Sequence, residues 1–402
     1  MEDSNQIATK VYDLLGSVID PELGRSVTEL NMVTGVSVSE AQCDTSSCKN
    51  LQPDYDNTYE PNHETDYEPN YKPTYNVDIN LELTVPNCPL AEVITERVKE
   101  AVSKYPKIKL IPHITTAAMS EDKLAKLVSD LKAERKENPF NKSGNHTRVF
   151  AIASGKGGVG KSSITANLAA TFAALGYDTA AIDADVYGFS LPRMFGVNSQ
   201  PTNLNGMLMP VVAWGVKLIS IGMFAGTDRA ILWRGPRLQR SLEQFLSDVW
   251  WGNPDILLLD LAPGTGDMAL AVAQSLPNVE IIVVTTPQPS ASDVAVRAGL
   301  MALQIPVSVT GVVENMSWFE NNGERLEIFG SGGGKRVSEQ LCKALDKNIP
   351  LLAQIPLDTS IRELCESGRP AVLTEKGELA DTELANTFVK LANSLMKDST
   401  RN

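Results

Sequence analysis

The residues best suited to chemistry lie at 155–162, Gly-Lys-Gly-Gly-Val-Gly-Lys-Ser. An apolar run, Val149 to Ala153, leads into them, and Ser163 to Ala170 follows at helical spacing. Strand, glycine loop and helix are the context a phosphate-binding loop requires. Gly155, Gly157, Gly158 and Gly160 let backbone N–H groups turn inward around phosphate oxygens, where side chains would block them. The helix start at Ser162 and Ser163 adds unpaired amides and the positive end of a dipole. In that frame Lys161 meets the β- and γ-phosphates and the Ser162 hydroxyl ligates Mg²⁺, so the whole loop from Gly155 through Val159 to Ser163 is expected to hold ATP. A second lysine, Lys156, is electrostatically unhelpful so near Lys161 unless both face phosphate charge.

Three acids fit around such a loop. Asp255-Ile-Leu-Leu-Leu-Asp260 reads as a buried strand ending in a carboxylate, which a nucleotide's Mg²⁺ needs close to the loop hydroxyl. The following Pro263-Gly264-Thr265-Gly266-Asp267 is a small turn able to sense a γ-phosphate. Ala180-Ala-Ile-Asp183-Ala-Asp185 ends another strand with acids at i and i+2, on one side of an extended chain. Asp183 is then expected near Mg²⁺, and Asp185 to position the attacking water. The alternative for this pair is helix capping ahead of Gly188.

The elements that must position these residues follow from periodicity. From Arg148 onward strands alternate with helices, with strands near 149–153, 178–183, 217–221, 256–260, 280–285, 307–313 and 350–355. That alternation implies an α/β fold with a mainly parallel sheet covered on both faces, and a ligand outside the carboxyl ends of the strands. Ahead of it, residues 1–115 read as a small α+β domain: a helix over 6–18, the turn Asp20-Pro-Glu-Leu-Gly24, strands at 32–39 and 77–85, a helix at 90–104 and a strand at 107–114. Residues 41–76 are an insertion in which Tyr-Glu-Pro-Asn recurs at 59 and 67 and aliphatic side chains are almost absent, so it is expected to stay extended and disordered. Residues 116–147 read as a linker, helical over 120–137 and polar from Asn138 to Thr147, before the ATPase domain at 148–402.

Composition excludes several classes. A net charge of −13 argues against a nucleic-acid surface, and no apolar stretch reaches the ~18 residues of a membrane span. The acidic start Met1-Glu-Asp-Ser4 lacks the apolar core of a secretion signal, and five irregularly spaced cysteines suit reduced thiols, so a cytoplasmic protein is expected.

Residues 148–395 resemble the Mrp/ApbC branch of the MinD/ParA-type ATPases, the iron–sulfur cluster carriers. The matching segments are Ser154 to Ser163, Asp183-Ala-Asp-Val-Tyr-Gly188, Asp260-Leu-Ala-Pro-Gly-Thr-Gly-Asp267, Thr286-Pro-Gln288 and Val313-Glu-Asn-Met-Ser317. Ala262 stands where the family usually has proline. Residues 6–114 are similar to the iron–sulfur assembly domain often fused ahead of these ATPases, on Asp20 to Gly24 and Thr84-Val-Pro-Asn-Cys-Pro-Leu90. The resemblance implies a slow Mg²⁺-dependent ATPase acting as a homodimer, with Lys156 reaching the partner's nucleotide and Asn315 reading the adenine edge. It also implies apo iron–sulfur proteins or assembly factors as partners.

One departure stands out. Relatives carry a C-x-x-C after the Asn-Met-Ser segment, whose thiolates suit iron, but here 318–327 reads Trp-Phe-Glu-Asn-Asn-Gly-Glu-Arg-Leu-Glu. Cys342 and Cys365 fall in predicted helices and read as apolar fillers, and Cys43 and Cys48 form only a weak metal signal within the insertion. Cys88, before Pro89 at a helix start, is the one candidate cluster ligand. Two alternatives follow: a nucleotide-gated scaffold that binds no cluster, and a MinD/ParA-like positioning ATPase. The second would need a basic tail or face, and the C-terminal stripe Leu384, Phe388, Leu391, Leu395 reads instead as core.

Overall fold

The computed structural model describes residues 3–41, 74–85, 90–106, 108–133, 138–185, 188–204, 206–224, 235–264, 267–276, 278–303, 305 and 307–397. Cys43, Cys48, Cys88, Thr265, Gly266 and nearly all of the Tyr-rich insertion lie outside the described residues. The chain divides into two compact units, Met1–Leu127 and Val128–Asn402.

In the first unit α1 (Ser4–Leu15) buries Ile7, Val11 and Leu15 at helical spacing. Strands β1 (Val33–Glu40) and β2 (Thr74–Leu83) pair antiparallel, and β2 pairs parallel with β3 (Lys109–Ala118). The parallel pair requires a crossover, which α2 (Ala91–Ser103) supplies. Alternate residues of β2, Tyr75, Val77, Ile79, Leu81 and Leu83, face the core, as period-two patterning demands. Helix α3 (Glu121–Ala133) runs across the division between the units.

The second unit is built on β4 (Arg148–Ser154), β5 (Thr179–Ala184), β9 (Val216–Ser220), β10 (Ile256–Leu261), β11 (Glu280–Thr285), β12 (Ser308–Glu314) and β15 (Leu351–Gln354). Short strands β6 (Thr202–Leu204) and β7 (Met207–Met209) form a hairpin, β8 (Val211–Ala213) pairs antiparallel with β9, and β13 (Phe319–Asn321) with β14 (Glu324–Leu326) makes a second hairpin. The main sheet runs β15-β12-β11-β4-β10-β5-β9-β8, parallel except for β8. Its faces alternate along each strand. Val149, Ala151 and Ala153 of β4 join a core with α6 (Gly235–Ser247), α7 (Asp267–Ser275), α8 (Pro289–Gly299) and α9 (Gly333–Leu345). Phe150 and Ile152 join the opposite core with α4 (Lys161–Ala174), α5 (Leu191–Met194) and α11 (Glu383–Lys397), while α10 (Thr359–Glu366) packs on α5. The sequential path turns back at β4: β5 and β9 lie to one side, β11 and β12 to the other. Ligands of such sheets bind where the order reverses, and β4 is the strand that runs into Gly155.

The seven strands expected from alternation are present, and the stripe Leu384, Phe388, Leu391, Leu395 is buried, packed in the core that holds α4. Two features differ from the sequence reading. Residues 138–147 are no free linker: Pro139–Asn141 form a 3-10 turn, Phe140 enters the core, and the Asn138 and Asn141 amides each donate to the Ser275 carbonyl at 3.0 Å. A single aromatic and amide groups that cap the end of α7 anchor a stretch whose composition looks solvated. The three-residue strands also went unread, being too short to display an alternation.

Candidate nucleotide-binding site

Strand β4 delivers the glycine loop to the carboxyl edge of the sheet, and α4 begins at Lys161 with Gly160 as its N-cap. Gly158 and Gly160 adopt φ of +82° and +81°, a region that costs other residues energy. Gly155 is needed for a different reason. A Cβ there would lie 2.2 Å from the Val294 backbone of α8, so the loop sits hard against that helix. A Cβ on Gly160 would come equally close to Asn315 Nδ2.

The centre of the site is Asp260, fully buried near the end of β10. Its Oδ1 accepts from Lys161 Nζ at 2.6 Å and Thr165 Oγ1 at 3.0 Å, while Oδ2 accepts from Ser162 Oγ at 2.5 Å. Lys161 is only 6% exposed, so this is a buried ion pair, sustained by extra hydrogen bonds as such pairs must be. Asp183 lies beside Asp260 in register on the neighbouring strand. Burial, reinforced by the Asp260 charge, pushes Asp183 up to about 7, against donors from the backbone of Leu191 and Asp185 and the Lys161 charge. Its Oδ2 accepts from Ser190 N, Leu191 N and Ser220 Oγ at 3.0, 3.1 and 3.2 Å, capping the start of α5. Asp185 is buried too, and its Oδ1 accepts from Gly188 N at 3.0 Å. Both acids thus do the loop-capping work that was the alternative in sequence. Lys156 stands exposed on the loop, its carbonyl accepting from Ser154 Oγ at 3.1 Å.

Beside the loop opens a cavity of about 310 Å³. Gly160 and Ser163 form one wall, Asn315 and Met316 a second, and Pro356, Leu357 and Asp358 a third, with Cys365 of α10 also lining it. The Asn315 side chain donates to Val159 O at 2.9 Å, which ties this wall to the phosphate loop. Of the residues expected at a nucleotide site, Lys161, Ser162, Asp260 and Asp183 converge, Asn315 and Ser163 line the adjoining cavity, and Asp185 lies one step into the next loop. Cys365 is buried at that cavity, its thiol pushed up chiefly by burial. Cys342 is only half-buried and receives the Ile349 N–H at 3.2 Å.

Sequence reading missed Thr165, Ser190, Ser220 and the 356–358 wall. Thr165 had a usable signal, since it falls one helical turn after Lys161 and therefore on the same face. Ser220 ends β9, Ser190 precedes α5 and 356–358 follow β15, and none of them carries a local pattern.

With this geometry in hand, the relatives can be placed. The signature of the NUBPL iron-transfer P-loop NTPases matches residues 145–396, and that of iron–sulfur cluster assembly proteins matches residues 8–44. An iron–sulfur cluster carrier protein of Mycobacterium leprae is 40% identical over 97% of this chain and 92% of its own length. One from Synechocystis is 34% identical over 91% of each. Among solved structures, a nucleotide-binding protein from Archaeoglobus fulgidus in complex with ADP is 32% identical, with a TM-score of 0.47 over 59% of this chain and 93% of that one. The glycine loop, its buried Lys161–Asp260 pair and a match across the whole parallel sheet lead to one conclusion: the chain belongs to the NUBPL-type iron-transfer P-loop NTPases.

Proposed function

We propose that this protein binds and slowly hydrolyses ATP as a dimer, and uses that cycle to assist iron–sulfur cluster assembly and transfer to apo-proteins. The observation that carries the nucleotide half is the contact of Lys161 and Ser162 with the two oxygens of Asp260. Asp260 neutralises the lysine in a buried site, and phosphate oxygens entering the loop compete for the same ammonium. Ser162 Oγ and the Asp260 carboxylate are hard oxygen donors and fit Mg²⁺, with Asp183 as the adjacent acid; the ion would neutralise charge on the phosphates. Asp185 is assigned to the attacking water, Asn315 to the base, and the exposed Lys156 to the partner subunit's nucleotide.

The cluster is cargo, and its ligands are the open half of the proposal. The hairpin β13–β14 occupies the segment that carries C-x-x-C in relatives, and its anionic side chains are Glu320 and Glu324, with Glu327 just beyond. Carboxylates are poor substitutes for thiolates on sulfide-bridged iron. This favours either ligation through Cys88 or a second reading, a nucleotide-gated scaffold whose client supplies the thiols. Apo-proteins or assembly factors are the partners in both. Among the described residues no helix is long and apolar enough to cross a membrane.

Lys161→Ala tests the nucleotide half. Removing the ammonium should abolish ATP binding measured by calorimetry. Affinity within about twofold of wild type, a difference well under 1 kcal/mol, would remove Lys161 from the role.

A further inference from the structure

Glu314 is 1% exposed at the end of β12, immediately before the cavity residues Asn315 and Met316, and nothing in the nucleotide reading uses it. Its carboxylate gathers three separate segments. Oε1 accepts from Gln354 Nε2 at 2.7 Å and Ser317 Oγ at 2.9 Å, and Oε2 accepts from Gly334 N at 2.5 Å. Gln354 leads directly into the cavity wall Pro356–Asp358. Ser317 leads into the β13–β14 hairpin, and Gly334 lies in the first turn of α9, to which the chain runs after that hairpin. One carboxylate therefore holds the chain just before the hairpin, the helix that follows it and one wall of the cavity.

The backbone repeats the connection. Ile355 N donates to Glu314 O at 2.8 Å, Ser317 N to Ile355 O at 2.9 Å and Leu357 N to Trp318 O at 2.7 Å. Segment 314–318 and segment 354–357 are laced together, so a displacement of the cavity wall is a displacement of the chain just before the hairpin. Met316, between them, holds φ of +56°, a conformation that non-glycine residues keep only where their surroundings enforce it. The run Gly332-Gly333-Gly334 is explained by the same arrangement. A Cβ on Gly333 would meet the Thr286 and Pro287 carbonyls at 2.6 Å, and one on Gly334 would meet Glu314 Cβ at 2.7 Å. Bare backbone is what lets α9 come down onto the carboxylate.

We propose that Glu314 is a positioning residue that couples nucleotide occupancy of the cavity to the conformation of the β13–β14 hairpin, resting on the nucleotide reading above. Ligand contact with Asn315, Met316 or the 356–358 wall is transmitted through Glu314 and the laced backbone to the segment that leads into the hairpin and to the helix that follows it. The hairpin tip carries no cavity residue, so its response to a nucleotide is a separate observable from binding.

Hydrogen exchange followed by mass spectrometry on the full chain, with and without ADP and Mg²⁺, tests this. In the wild type, ADP should slow exchange in 155–165 and, by about tenfold, in 319–328, the effect expected of one charge-assisted hydrogen bond made firmer. Glu314→Gln keeps the shape but turns an amide toward a donor. It should retain ADP protection of 155–165 and lose the response of 319–328. Gln354→Leu, at an exposed position, removes one donor to Glu314, should lose the response in the same direction and carries the test if Glu314→Gln does not fold. Protection of 155–165 with an unresponsive hairpin in the wild type overturns the coupling alone, as does a full response in both variants. Protection of neither segment overturns the nucleotide reading and the coupling with it.

Discussion

Lys161 Nζ and Ser162 Oγ both donate to Asp260, which joins a loop lysine, the hydroxyl beside it and an acid at the end of a buried strand. Those residues were legible because each is tied to a local pattern, glycine spacing in one case and an apolar run ending in Asp in the other. Asp183 and Asp185 were legible as a pair but not in their surroundings, since the donors that hold them come from Ser190, Leu191, Ser220 and Gly188. Capping and catalysis are compatible for Asp185, since the Gly188 N–H that its Oδ1 accepts holds the carboxylate in place at the end of β5. Asp185→Asn preserves volume and one acceptor oxygen. Binding should stay near wild type while steady-state hydrolysis slows by ~10²–10⁴, the usual loss with a proton-handling group. Unchanged turnover would move the role to Asp183 or Asp267.

At the scale of elements, strand and helix periods gave the parallel sheet, while the three-residue hairpins and the docking of 138–147 depended on tertiary contacts that no window contains. The Asp20–Gly24 turn was legible as a turn from its proline and glycine, but its electrostatics were not. Asp20 is buried, and its Oδ1 accepts from Glu22 N and Leu23 N, both at 2.8 Å. Burial, then the Asp20 charge, pushes Glu22 from 4.5 up to about 7; burial raises Asp20 as well, against the Leu23 and Glu22 amides and Arg97. A carboxyl with a raised folded pKa binds more protons folded than unfolded, so stability falls as pH rises across that interval. The opening free energy of β2 amides, from hydrogen exchange corrected for intrinsic rates, should therefore decline between pH 4.5 and 7. Glu22→Gln should flatten that decline; an unchanged slope would mean that the turn does not titrate.

For the whole molecule, the family was readable over most of the chain, and the missing C-x-x-C was readable as an absence. Which thiols then serve was not, because a cluster site is assembled from segments distant in sequence. Cys365 lines the cavity beside the glycine loop and lies 3.8 Å from the Asn167 amide that donates to it, and Cys342 accepts from the Ile349 backbone. Neither offers the paired thiolates that iron requires. After anaerobic reconstitution of the full chain, iron and sulfide content should fall to background with Cys88→Ser and stay unchanged with Cys342→Ser or Cys365→Ser. A chelator-resistant, stoichiometric cluster in Cys88→Ser would point to Cys342 and Cys365 or to the insertion cysteines Cys43 and Cys48. Background iron in the wild type would favour the scaffold reading.

The packing of α11 against α4 also has a bearing on biogenesis. The helix that opens at the phosphate loop buries its outer side on Leu384, Phe388 and Leu391, which are translated long after the loop itself, and Arg148 at the foot of β4 donates to the Leu395 carbonyl. Contacts of such long sequence separation form late and slowly. Until α11 emerges, the nascent chain has a phosphate loop whose supporting helix is exposed along one apolar side. The packing that supports the phosphate loop is thus completed only once α11 has been translated, and that exposed side is a natural target for chaperones in the interval.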